Sequence, residues 1–232
     1  MCSSDLVIVV KSGRHQAAAA AASSDKVALI IGNSNYGQLN RLNNTTNDAR
    51  AIADALSQIG FETKLVINAD ESHLRKEIKE FSKTSARKSV SVVFYAGHGA
   101  QVEGENYILP TDFDIPRSES DVKLSGIKVD DLLLAIQSDA KIIFLDACRD
   151  NPILAKALSI GSRGIPSQQG LAPIKSDNTG DTNVFIAFAT AAGSVAEDGN
   201  GSHSPFTQAL LDNLKNPISI DDMFSLVTRQ VT

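Results

Sequence analysis

The chain has 232 residues, 22 basic side chains against 27 acidic ones (formal net charge −5), 42% hydrophobic residues and no Trp. That apolar fraction excludes disorder as the main state and suffices for one well-cored domain or two small ones, while the acidic balance disfavours a general nucleic-acid role. The two cysteines, Cys2 and Cys148, exclude a disulfide scaffold and disfavour a thiolate zinc site, and no apolar run approaches the roughly 20 residues of a membrane helix.

Residues 1–25 fit no regular element. The apolar run Leu6–Val10 is followed by Lys11, Arg14 and His15, then by Ala17–Ala22 and Ser23-Ser24. A secretory signal carries its charges before the apolar core, not after it. The segment is therefore read as a leader, either a signal remnant or a non-native start. A signal remnant would mean export to the periplasm or medium; otherwise the protein is cytoplasmic.

From residue 26 the pattern becomes regular. Val27–Ile31 is a continuous apolar run ending at Gly32-Asn33, the signature of a buried strand and a turn. Ala49, Ile52, Ala53, Leu56 and Ile59 recur at helical spacing, with Gly60 as the stop. Phe61–Ile67 reads as a second strand, and Leu74, Ile78 and Phe81 mark a second helix. Val90–Tyr95 is a third strand ending at Gly97-His98-Gly99. Gln101–Pro110 reads as a short hairpin or extended segment, and Asp130–Ile136 as a short helix. Ile142–Leu145 is a fourth strand, ending at Asp146-Ala147-Cys148.

Residues 149–182 show no period and contain Pro152, Pro166 and Pro173; a loop of that length inside a domain is usually functional or disordered. Val184–Ala189 is a fifth strand. Ser204-Pro205 gives the N-cap and first-turn order of a helix start, and Ser219 with Asp222 resembles a capping box. The last helix, Asp221–Val231, reads as stopping short, so further C-terminal sequence is expected. Buried strands alternating with helices predict an α/β domain over 26–232, with a mostly parallel sheet covered on both faces.

In such sheets, chemistry collects beyond the carboxyl ends of the strands. Asp48, His98 and Cys148 follow the first, third and fourth strands. A thiol and an imidazole at one sheet edge suit nucleophilic acyl transfer: thiolate attacks a carbonyl and imidazole handles the leaving-group proton. The backbone N–H groups of Gly99 and Cys148 could bind the developing oxyanion. Taken singly, Cys148 also reads as a small core hydrophobe, and Asp48 as a carboxylate stabilised at a helix N-terminus. His15, His73 and His203 are scattered with no metal-ligand spacing, and no dinucleotide or phosphate-binding loop follows the first strand.

The segments Val92-Val93-Phe94-Tyr95-Ala96-Gly97-His98-Gly99-Ala100-Gln101 and Leu145-Asp146-Ala147-Cys148-Arg149-Asp150 resemble caspase-like cysteine peptidases. The acidic residue before Ala-Cys is similar to metacaspases and bacterial orthocaspases, in the peptidase C14 group. Ile31-Gly32-Asn33 with Asn47-Asp48-Ala49, and Phe188–Gly193 with Ser204-Pro205-Phe206, resemble other portions of that family. One departure is Ala96, where many eukaryotic metacaspases have Ser.

The resemblance implies a caspase–haemoglobinase-like three-layer αβα sandwich and a cysteine endopeptidase with His98 and Cys148 as its dyad. It also implies that Asp48 and Asp146 line the first specificity pocket. A carboxylate pair favours guanidinium, then ammonium, and repels a substrate carboxylate. Cleavage after Arg, then Lys, of a peptide or protein substrate is thus expected, without a nucleic-acid or membrane partner. No cofactor is expected. Calcium activation occurs in some relatives, but no calcium-loop signature is present. Arg163 and Lys175 are candidate self-cleavage sites. The alternative readings are a weakly active caspase-fold regulatory or interaction module and, more remotely, a small-molecule-binding α/β domain. The oligomeric state is left open.

Overall fold

The structure, a computed structural model, describes residues 7–10, 25–147, 183–189 and 201–231. The elements run β1 (Val7–Val10), β2 (Lys26–Gly32), α1 (Thr45–Gln58), β3 (Glu62–Ile67), α2 (Glu71–Ser85), β4 (Val90–Gly97), β5 (Gly99–Val102) and β6 (Glu105–Ile108). They continue with α3 (Glu119–Ser125), β7 (Ile127–Lys128), α4 (Val129–Ala135), β8 (Ala140–Ala147), β9 (Val184–Phe188), α5 (Pro205–Asn213) and α6 (Ile220–Val231).

Six strands form one sheet in the order β1-β9-β8-β4-β2-β3. All neighbours are parallel except β1, which pairs antiparallel with β9. Alternation along each central strand feeds two cores. On β4, Val92, Phe94 and Ala96 join Ile52 and Leu56 of α1, Phe206 and Leu210 of α5 and Phe224 of α6. Val93 and Tyr95 join Leu74 and Phe81 of α2 and Leu132 and Leu133 of α4 on the other face. Helices on both faces of a parallel sheet make the expected three-layer α/β sandwich. Phe94, Tyr95, Leu29, Ile30 and Ile31 are fully buried, which accounts for the unbroken apolar runs of β2 and β4.

The small sheet β5-β6-β7 stands apart, with β5 and β6 a hairpin closed by a two-residue turn at Glu103-Gly104. It rests on its own cluster of Tyr36, Leu39, Val102, Leu109, Phe113 and Val122. Asn33 ties this annex to the main sheet: its amide donates to the Leu109 carbonyl (3.2 Å), and its carbonyl accepts from Ala69 N–H (3.0 Å).

Two elements depart from the sequence reading. Val7–Val10, placed there in a leader without regular structure, is an edge strand in register from Val7 opposite Phe188 to Val10 opposite Phe185. A four-residue β-branched run has too little local pattern to declare a strand, and its partner lies far along the chain. Helix α3 was also not anticipated; at seven residues it depends on a capping box between Ser118 and Asp121 instead of an apolar period. The 149–182 loop, with Arg163 and Lys175, lies outside the described residues.

Candidate active site

Register places the site. In the β4–β8 pair, Ala96 is opposite Asp146 and Gly97 is opposite Ala147. His98 therefore leaves β4 beside the last residue of β8. Cys148, the next residue after β8, lies outside the described residues, so its distance to His98 is not part of the geometry. Gly99 does approach this strand end: a Cβ built on it would lie 3.1 Å from the Ala147 side chain.

The imidazole of His98 is partly buried and held in one orientation. Its Nε2 lies 2.8 Å from the Asn40 carbonyl. A carbonyl can only accept, so Nε2 carries the hydrogen and Nδ1 carries the lone pair. The Tyr36 ring packs edge-on, 4.5 Å between centroids. Burial lowers the His98 pKa below the ordinary imidazole value, partly countered by the bond to Asn40, which favours the neutral form suited to a base.

The backbone of His98 is clamped by two buried hydroxyls. Its N–H donates to Tyr36 Oη (2.8 Å), and its carbonyl accepts from Tyr95 Oη (2.6 Å) and from Leu109 N–H (3.0 Å). The two hydroxyls are 3.2 Å apart. Gly97 is required by this clamp, because an added Cβ would sit 2.4 Å from Tyr95 Oη and 2.7 Å from Tyr36 Oη. Gly97→Ala is expected to cost about 1–3 kcal/mol in urea denaturation through overpacking.

The His98–Leu109 bond also orients Gly99. Antiparallel ladders alternate bonded and non-bonded pairs, so the Gly99–Ile108 pair that follows is non-bonded and the Gly99 N–H points away from β6.

On the α1 face of the sheet, Asp48 and Asp146 come together around Ser204. Helix α1 starts hard against β2 (a Cβ on Gly32 would lie 2.6 Å from Ala49 Cβ), which brings Asp48 of its first turn over the strand ends. The Asp48 side chain is only 2% exposed. It accepts from His203 Nδ1 (2.8 Å) and, more weakly, from Ser204 N–H (3.3 Å). Asp146 accepts from Ser204 Oγ and from Thr207 Oγ1 (2.9 Å). Burial, then the neighbouring Asp146 charge, push the Asp48 pKa up to about 7 against the pull of His203. Burial likewise raises Asp146, opposed by its two hydroxyl donors.

Five residues here escaped the sequence reading: Tyr36, Asn40, His203, Ser204 and Thr207 in their present roles. Ser204 and Thr207 belong to the helix start that was recognised, but their bonds to Asp146 cross 58 and 61 positions. His203 had no neighbour in sequence to reveal it, standing 155 positions from Asp48. Among the described residues, no group of three or more His, Cys, Asp or Glu side chains is arranged to hold a metal ion.

Comparison with known proteins gives this arrangement a family. The chain is 28% identical over 137 residues to the human mucosa-associated lymphoid tissue lymphoma translocation protein 1. It is 27% identical over 128 residues to the mouse homologue. These matches take in 59% and 55% of this chain but only 16% and 15% of those proteins. The crystal structure of the Drosophila initiator caspase Dronc superposes with a TM-score of 0.62 at 14% identity, covering 91% of this chain and 74% of Dronc. That likeness establishes a caspase fold. A family model for the caspase domain, peptidase C14, matches residues 25–232, and the chain belongs to that family.

Proposed function

We propose that the chain is a cysteine endopeptidase that cleaves after basic residues, Arg in preference to Lys. One observation carries the reading: an imidazole of defined tautomer follows β4, and at the end of the adjacent β8 stands Asp146, which Ser204 joins to the buried Asp48. Cys148 is the nucleophile, one residue past Ala147. Its thiolate attacks the substrate carbonyl, and the oxyanion is met by the N–H groups of Gly99 and Cys148. The tautomer leaves Nδ1 of His98 free to take the proton of the Cys148 thiol, which it then delivers to the leaving amine. In the second half-reaction Nδ1 takes a proton from water, hydroxide attacks the thioester, the C–S bond breaks, and Nδ1 returns its proton to the departing Cys148 sulfur. Asp48 and Asp146 receive the guanidinium of the residue on the acyl side, where a third carboxylate, from the substrate, would be repelled.

Peptides that differ only in ending in Arg, Lys or Asp before a reporter amide test this. The Arg peptide is expected to be cleaved fastest and the Asp peptide not measurably. Covalent labelling by an Arg-bearing peptide electrophile should be lost in Cys148→Ala. Faster Asp cleavage, or equal labelling of that variant, overturns the assignment.

A further inference from the structure

Asp48 is buried, and its shortest side-chain hydrogen bond is not to a fixed cation but to the chain's own imidazole. We propose that His203 is a positioning residue for the pair: it holds Asp48 as a carboxylate and so sets the lowest pH at which the pair accepts a cationic side chain. This rests on the reading of Asp48 and Asp146 as a pocket for basic residues.

The geometry supports it from three sides. His203 Nδ1 lies 2.8 Å from Asp48 Oδ1, with the imidazole itself one-fifth exposed. An acceptor-only carboxylate takes a hydrogen from that nitrogen, whereas a protonated acid would gain much less from it. Ser204 then anchors the same stretch of chain to both acids, its N–H facing Asp48 and its Oγ donating to Asp146. Ser204 is the N-cap of α5, so His203 is fixed by the helix start and cannot swing independently of it.

The charged neighbours are few. Asp146, on β8, opposes ionisation of Asp48, and burial opposes it more strongly. Arg50 and Asp54 of α1 and Asp212 of α5 are exposed, Lys26 and Glu62 stand at the far, amino-terminal ends of β2 and β3, Lys64 of β3 pairs with Glu77 of α2, β4 carries no charged residue, and Lys141 is at the far end of β8. His203 is therefore the one titratable group among the described neighbours that favours the carboxylate. Sequence at this position, not the acids themselves, would then tune the working pH among chains that share the pair.

The test follows the Asp48 carboxyl signal by carbon-13 NMR across pH 5–9, together with binding of agmatine as a guanidinium probe. Wild type is expected to titrate near pH 7. In His203→Ala the midpoint should rise by about one pH unit, the worth of one hydrogen bond to a charged group. Agmatine should then bind about fivefold more weakly at pH 7 and equally at pH 9, since half the carboxylate present in wild type becomes about a tenth. His203→Asn, which places an amide N–H where Nδ1 stood, should restore most of the shift and controls for a merely structural loss. An unchanged or lowered midpoint in His203→Ala overturns the inference. A raised midpoint with no agmatine binding to wild type at any pH supports the hold of His203 on Asp48, and sinks the basic-residue pocket instead.

Discussion

Replacing His98 with alanine is expected to lower kcat on an Arg-ending peptide by at least about a thousandfold, the upper range for a lost general acid–base group. The loss should fall on kcat with little change in KM, because the imidazole is proposed to move the proton, whereas Asp48 and Asp146 are held by His203, Ser204 and Thr207. The fold should survive: His98 is only partly buried, and the backbone clamp from Tyr36, Tyr95 and Leu109 uses its N–H and carbonyl, which alanine keeps. The acid limb of the wild-type kcat/KM profile should lie below the ordinary imidazole value, since burial depresses this pKa. Far-ultraviolet circular dichroism and stopped-time hydrolysis on the same samples check both halves. A variant that retains a tenth of the activity would remove His98 from the proposed dyad.

The legibility of this molecule was uneven for a physical reason. Strands β2, β4 and β8 and helices α1 and α2 were readable because a buried parallel sheet demands unbroken apolar runs, and its covering helices demand a 3.6-residue period. Both patterns are local. That His98 and Asp146 share one sheet edge was readable for a related reason: a chain that alternates strand and helix in this way sends every parallel strand end to one edge.

Contacts that depend on three-dimensional return of the chain left no such trace. Asn40 enters through its carbonyl, which any residue possesses, so no side-chain signal could have singled it out. Tyr36 looks like loop until β4 and β6 bring Tyr95 and Leu109 to its hydroxyl. His203 looks like one more scattered histidine until α5 docks on the α1 face. Edge strand β1 shows the same limit at the level of the fold, since its four residues gain meaning only from β9.

Asp48→Asn is the substitution in which stability and recognition should move in opposite directions. The folded protein raises this carboxyl from 3.8 to about 7. A raised pKa means that folding favours the protonated acid. Its stabilising contribution is whole below the unfolded value and drains away as pH climbs through the folded one. Each unit of that window is worth about 1.4 kcal/mol, so wild type should lose a few kcal/mol between pH 4 and pH 8 from this group alone. Asparagine resembles the neutral acid in shape and can still accept from His203 and Ser204 through its carbonyl. The variant should therefore match wild type near pH 4 and exceed it by a few kcal/mol at pH 8 in urea unfolding. With the like charge gone, Asp146 should also ionise more readily. Recognition should suffer where stability gains: one carboxylate cannot replace a pair around guanidinium, and kcat/KM for the Arg peptide at pH 8 should fall about a hundredfold, mostly through KM. A variant less stable than wild type at pH 8, or one that cleaves the Arg peptide undiminished, would contradict the assignment of Asp48 as a strained, functional carboxylate.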